Sequence, residues 1–195
     1  VDSIPMIVIS GQTKSTLTIE SSGLPLRCLG NQEIDIVPVV KPITKNAVMI
    51  HKPEEIRREL EKALYLSVNG RPGPVWIDIP LDIQGSKIDP DTLEGYMPTE
   101  QPDYAPKQAD IDVIVEKLKT AKRPVIYAGN GIRIADAYPE FSQLVEVLQI
   151  PVVTAWNSID LMATEDSCYA GRGGTMGDRA GNFAVQNSDF LLSLA

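Results

Sequence analysis

The run Gly70-Arg71-Pro72-Gly73-Pro74-Val75-Trp76-Ile77-Asp78-Ile79-Pro80 constrains the fold more than any other part of the chain. Upstream of it, residues 53–68 read as a helix. Pro53 suits the first turn, where its missing N–H costs nothing, and Glu54 and Glu55 complement the helix dipole. Ile56, Leu60, Ala63, Leu64 and Val68 recur on one apolar face. The prolines and glycines of 70–74 break the helix, and residues 75–79 form an apolar strand that Pro80 ends. Helix, tight corner and buried strand make one α/β unit.

The same grammar extends along the chain. Residues 5–11 read as a buried parallel strand, 12–32 as a loop, 34–40 as a short helix or turn and 47–50 as a short strand. Composition shifts over 85–107, where prolines and acids crowd and apolar residues thin out. This predicts a linker at 88–107 between units 1–87 and 108–195. In the second unit Ile111, Ile114, Val115 and Leu118 make a helical stripe. A strand follows at 124–128, then a helical face of Ala137, Phe141, Leu144, Val145 and Leu148. A strand at 151–155, a helix at 179–187 and a third strand at 190–194 complete it. Strand and helix alternate at the spacing of right-handed crossovers, so the fold class is α/β, with parallel sheets flanked by helices.

Charge and cysteine usage narrow the function. With 43% apolar residues a packed core is expected, and a net charge of −8 with scattered Lys and Arg argues against nucleic acid as a partner. No apolar run reaches the length of a membrane span. Cys28 and Cys168 sit in no metal-ligand spacing and read as buried free thiols, a disulfide being the alternative. A cytoplasmic setting is expected. His51 is the only histidine, which argues against a Ser-His-Asp triad and a multi-histidine zinc site. The chain opens on Val and enters a strand almost at once, and residues 189–195 read as a strand cut short. It is expected to be an internal piece of a longer polypeptide.

Three loops are candidates for ligand binding. Gly129-Asn130-Gly131 joins a strand to a helix, where small residues let a backbone approach a phosphate, although a plain turn explains the same residues. Thr154-Ala155-Trp156 follows the next strand and belongs on the same carboxyl edge. Trp156 can stack on a ring or cover the core. Residues 171–177, with Gly174, Thr175 and Met176, form the richest glycine loop, near Arg172 and Arg179 as phosphate partners; the alternative is a flexible surface loop. Asp78 and Asp82 read as structural caps, a carboxylate pair being the alternative. Gln32 and Glu33 lie in a long loop with no evident structural need for them, which points to function or to solvent exposure.

In order along the chain these segments resemble thiamine diphosphate (ThDP) enzymes of the acetolactate synthase type. Residues 5–12 are similar to a "P-x-x-x-I-x-G-Q" strand of the pyrimidine-binding domain, Gln32-Glu33 to an "F-Q-E" loop, Ile43-Thr44-Lys45 to an "I-T-K", and 70–84 to the segment that closes that domain. Gly129-Asn130-Gly131, Thr154-Ala155-Trp156 and Gly174-Thr175-Met176 fall on flavin-contacting loops of the family's Rossmann-like central domain. The resemblance implies that 1–87 is the C-terminal part of a pyrimidine-binding domain and 108–195 the N-terminal part of a central domain. It implies ThDP and Mg²⁺ in a full-length parent, with the catalytic Glu and the metal motif outside this chain, and it leaves FAD open. Gln32 would be the catalytic-pocket residue; no metal ligand falls here. The implied reaction decarboxylates a small 2-oxo acid and transfers the acyl unit to a second carbonyl, in a homodimer or homotetramer. Sibling decarboxylases, acetyltransferases and diketone hydrolases stay open, as does a non-catalytic nucleotide-binding module.

Overall fold

The structure is a computed structural model that describes residues 2–99 and 105–194. The chain divides into two compact units, Val1–Gln101 and Pro102–Ala195. Of the expected linker, residues 100–104 lie outside the described residues.

The first unit holds three parallel strands in the order β1-β3-β2: β1 (Met6–Gln12), β2 (Asn46–Met49) and β3 (Pro74–Pro80). Central β3 is the apolar run after the Pro/Gly corner. Val75 and Ile77 are fully buried there, with Ile50, Ala63 and Ile83 around them. Two short helices, α1 (Ile19–Ser22) and α2 (Ile36–Val40), lie between β1 and β2, so the expected loop contains a helical turn. Helix α3 (Ile56–Val68) covers the sheet, and α4 (Leu81–Gln84) follows β3. The buried positions of α3 are Glu59, Ala63 and Ser67, whereas Leu60, Leu64 and Val68 are exposed. Of the stripe read from sequence, Ile56 and Ala63 pack in the core, while Leu60, Leu64 and Val68 lie outside the face that packs. Small Ala63 and Ser67 let α3 lie close to the sheet. Part of the proline-rich stretch folds back on α3: Tyr96 N–H donates to Glu61 Oε2 at 2.7 Å, and the Tyr65 and Tyr96 rings meet at 5.7 Å.

The second unit begins with α5 (Gln108–Thr120) and carries four parallel strands, ordered β6-β5-β4-β7. These are β4 (Pro124–Ala128), β5 (Val152–Thr154), β6 (Tyr169–Arg172) and β7 (Phe190–Leu194). Strand β6 was not expected; Gly171 and Arg172, read as loop, are strand residues. Short α6 (Gly131–Ile134) and α7 (Tyr138–Leu148) join β4 to β5, and α8 (Arg179–Asn187) joins β6 to β7. Phe141 and Val145 of α7 pack with Ile126, Val152 and Leu161, and α8 packs on β6, β5 and β4. Order runs outward from β4 to β6 and then reverses to β7 on the other side, so helices cover both faces. The α5 stripe is more exposed than its pattern suggests: Ile111, Ile114 and Val115 are all surface residues. Cys168 is buried as expected, but Cys28 is exposed, and both are free thiols. No described helix is long and apolar enough to cross a membrane.

Candidate functional site

In the first unit the carboxyl edge of the sheet is built by polar side chains. Asp78, on the central strand, is fully buried and accepts from Ser10 Oγ at 2.6 Å and from Gln12 Nε2 at 3.0 Å. Trp76 Nε1 donates to Ser10 Oγ at 2.8 Å. Gln12 Nε2 also donates to the Ile34 carbonyl at 2.6 Å, which ties the loop after Gln32 to the strand. Asp82 has a structural role: it accepts from Ser15 N–H at 2.8 Å and Ser15 Oγ at 2.6 Å, which ties the segment after β1 to the one after β3. Asp78 is instead the hub of a buried network.

Glu33 does have a structural need, contrary to expectation. Its nearly buried carboxylate accepts from the backbone N–H of Ile19, from Leu29 at 2.8 Å and from Gly30 at 3.1 Å. Burial pushes this carboxyl up, and the amides of Leu29, Ile19 and Gly30 together pull it further down, below the ordinary value. Gly30 closes the clasp, since a Cβ there would stand 2.6 Å from the Leu17 carbonyl oxygen. Gln32 is exposed and lines a cavity of about 220 Å³ with Gln12, Ile34, Trp76 and Asp78. A neighbouring cavity of about 340 Å³ is lined by Glu20, Glu33, Asp35, Asp78 and His51 with apolar residues of α2 and β2. Among the described residues no Lys or Arg lines either cavity. The lining suits a neutral or cationic group and does not fit a diphosphate. Among the described residues no group of His, Cys, Asp and Glu is placed to hold a metal ion.

In the second unit the three predicted loops adjoin along one strand edge. Gly129 N–H donates to the Leu194 carbonyl at 2.6 Å, Ala155 N–H to Ala128 at 2.9 Å and Gly173 N–H to Thr154 at 3.1 Å. Gly129, Asn130 and Gly131 therefore sit between β4 and β7, where strand order reverses and open α/β sheets bind ligands. Thr154 is fully buried, its hydroxyl 3.4 Å from that of Tyr169, and so serves the core. Ala155 is half-buried, and Trp156 is 64% exposed, so its ring does not cover the core. Met176 is likewise exposed, beside Thr175. Gly174 at φ 106° has open space where a Cβ would stand, and its N–H and C=O both bond the Asn182 amide. The arginines are mostly committed. Arg172 grips Asp178 through Nε at 3.0 Å and Nη2 at 2.9 Å, and Arg133 pairs with Asp160 at 3.0 Å. Arg179 lies over the Phe183 ring with no carboxylate partner among the described residues. The edge thus offers the exposed Trp156 ring, open backbone at Gly174 and, among the described residues, one guanidinium without a carboxylate partner, groups of the kind a dinucleotide site uses.

The Arg172–Asp178 latch has a pH consequence. The Arg172 guanidinium, then the Arg172 N–H, hold the Asp178 carboxyl at about 2, below its ordinary 3.8. A carboxyl depressed by folding contributes stability above its unfolded value and loses it as pH falls through the folded one. This contribution is complete above pH 3.8 and fades towards pH 2. Urea midpoints measured across that window should fall less steeply in Asp178→Asn than in the parent chain; parallel slopes would show that the latch contributes nothing.

Two parallel α/β units with polar or open carboxyl edges define a class of cofactor-binding folds, the second unit Rossmann-like. Comparison with known proteins makes the assignment narrower. Residues 111–195 match the thiamine pyrophosphate enzyme central domain. Over 196 residues the chain is 34% identical to the acetolactate synthase large subunit of Corynebacterium glutamicum, an alignment covering 99% of this chain and 30% of that protein. It is 32% identical to the chloroplastic acetolactate synthase of Arabidopsis thaliana over 98% of this chain and 28% of the relative. To acetolactate synthase isozyme 2 large subunit of Escherichia coli it is 29% identical, over 99% and 33%. Residues 111–195 thus carry the thiamine pyrophosphate enzyme central-domain pattern, and the chain is similar over nearly its whole length to acetolactate synthases, spanning about a third of the length of these relatives.

Proposed function

We propose that this chain forms one wall of the substrate pocket and part of the central domain of a ThDP-dependent enzyme. The enzyme decarboxylates a 2-oxo acid and transfers the acyl unit to a second carbonyl. In such an enzyme ThDP is the electron sink. The reading rests on the likeness to acetolactate synthases and, within the chain, on one observation: Gln32, whose amide has no hydrogen-bond partner among the described residues, lines a cavity at the carboxyl edge of a parallel sheet. Its part is to bind and orient, since an amide neither gains nor loses a proton at neutral pH. The diphosphate and Mg²⁺ would be held by residues outside this chain; for the diphosphate, the acidic lining described above supports this. Residues 1–87 would then be the pyrimidine-domain portion and 108–195 the central-domain portion. The enzyme would be a cytoplasmic homodimer or homotetramer.

At the second unit's edge we propose a dinucleotide cleft, with FAD the candidate. Trp156 and Met176 would meet the ring system, Gly129, Asn130, Gly131 and Gly174 would let the backbone approach, and Arg179 would face the diphosphate. A flavin supplies hydride and electron transfer, which acyl transfer does not use, so its role there would be structural.

Calorimetry of the 195-residue chain with ThDP and Mg²⁺ should give only heats of dilution; micromolar binding would place the diphosphate site inside this chain and overturn the division of labour. In the full-length enzyme, Gln32→Ala should lower kcat/KM for a 2-oxo acid by about tenfold or more. An unchanged kcat/KM would remove Gln32 from the pocket. FAD added to the chain should raise the melting temperature of the second unit, less so in Arg179→Ala; no shift would make the loops scaffold.

A further inference from the structure

Gln32 holds a backbone conformation that glutamine does not favour. Its φ is 61°, in the left-handed region where a Cβ is crowded. The flanking residues account for this. Glu33, next in sequence, is drawn inward by the N–H groups of Ile19, Leu29 and Gly30. Ile34 is fixed through its carbonyl by Gln12 Nε2 at 2.6 Å, and Gln12 is itself held by Asp78 at 3.0 Å. Upstream, Gly30 is wedged against the Leu17 carbonyl and the Thr13 side chain. The chain must pass from the Gly30 wedge to the Glu33 clasp with residues 31 and 32 between, and the left-handed turn at Gln32 makes the connection. Between these anchors the Gln32 side chain makes no hydrogen bond among the described residues and stands at the mouth of the cavity. Glycine would fit this backbone without crowding. What glycine lacks is the amide.

We propose that Glu33 and Gln12 are positioning residues: they impose the left-handed turn at residue 32 and thereby hold the Gln32 amide at the cavity. The functional half of this rests on the reading of Gln32 as a pocket residue; the mechanical half stands alone. Left-handed residues outside glycine persist only where neighbours over-determine them, and they gather at ligand sites. Here the over-determining groups are a buried carboxylate on three amides and a side-chain amide bridging strand and loop.

A double-mutant cycle on the 195-residue chain separates positioning from plain structural support. In the parent background Gln32→Gly should raise the folding equilibrium constant by about fivefold, because it relieves the crowding. Glu33→Gln sets an NH₂ against backbone donors and opens the clasp. In that background the gain should vanish or reverse, leaving only glycine's larger unfolded-state entropy. Gln12→Met is the milder second background, in which the gain should be partly lost; it serves if Glu33→Gln does not fold. Equal gains in the parent and variant backgrounds would overturn the proposal, since Glu33 and Gln12 would then stabilise the loop without setting residue 32. The functional half is read from Gln32→Ala and Glu33→Gln in the full-length enzyme. If the first leaves kcat/KM unchanged while the cycle is coupled, the pocket reading fails and the clasp remains. If the first lowers kcat/KM and the second does not, positioning by Glu33 fails.

Discussion

Replacing Gly181 with alanine should destabilise the second unit by about 3 kcal/mol or more and leave the first unit unaffected. A Cβ at this position, on the first turn of α8, would stand 2.3 Å from the carbonyl oxygen of Arg172 and 2.8 Å from its carbon. The obstacle is backbone, not the end of a flexible side chain. Arg172 is paired to Thr154 in the β6–β5 ladder and its N–H donates to Asp178, so it cannot retreat without breaking both. Helix α8 must lift instead, and with it the packing on three strands. Gly174→Ala is the control. It meets nothing within 4 Å but sits at φ 106°, so only backbone strain of about 1 kcal/mol is expected. Each unit has one tryptophan, Trp76 in the first and Trp156 in the second. Denaturant unfolding of Trp76→Phe and Trp156→Phe backgrounds therefore reports the two units separately. Equal, small shifts for Gly181→Ala and Gly174→Ala would refute the close packing of α8 on β6.

The contrast between these glycines shows where the sequence is readable. Strands β3, β4 and β5 were legible because a parallel strand covered on both faces must be a continuous apolar run. Strand β6 was hidden because Gly171 at φ 106° and a register shift beside Val152 and Val153 spoil its period. The α3 face is legible only in part, at Ile56 and Ala63, for a related reason. Hydropathy favours Leu60 and Leu64, but close approach to the sheet selects Ala63 and Ser67 by size. The three candidate loops of the second unit could be placed on one edge from strand order alone, whereas nothing local shows that Thr154 turns into the core. The loop around Gln32 was the least legible part. Its shape is set by individual side-chain bonds, Glu33 to three amides, Gln12 to Ile34 and Asp82 to Ser15, and none of these leaves a periodic trace. One signal was present. Asp78 is a carboxylate inside an otherwise apolar central strand, and such a residue needs dedicated partners.

Asp78→Ala should cost the first unit about 3 kcal/mol, and repairing that loss should not repair the loop. The substitution leaves the Ser10 hydroxyl and one N–H of Gln12 without an acceptor in a buried site, at about 1–3 kcal/mol each, offset in part because a buried carboxylate is itself costly. Trp76 Nε1 donates to the same Ser10 hydroxyl, so its fluorescence should report the rearrangement directly. Asp78→Asn should be milder, near 1–2 kcal/mol, since its amide keeps one acceptor while turning a donor towards the other partner. Removing the donors along with the acceptor, as Ser10→Ala and Gln12→Met added to Asp78→Leu, should recover much of the lost stability, because the Asp78 pairs go as a set, although the part-buried Trp76 Nε1–H then loses its acceptor. That triple variant also deletes the only bond from strand β1 to the Ile34 carbonyl found among the described residues. Amide exchange at residues 29–34 should therefore quicken even as the unfolding midpoint returns towards the parent's. Recovery of both would mean that the buried acid serves stability alone. Recovery of the midpoint with a loosened loop would show that a charge is kept in this strand to fix where Gln32 stands.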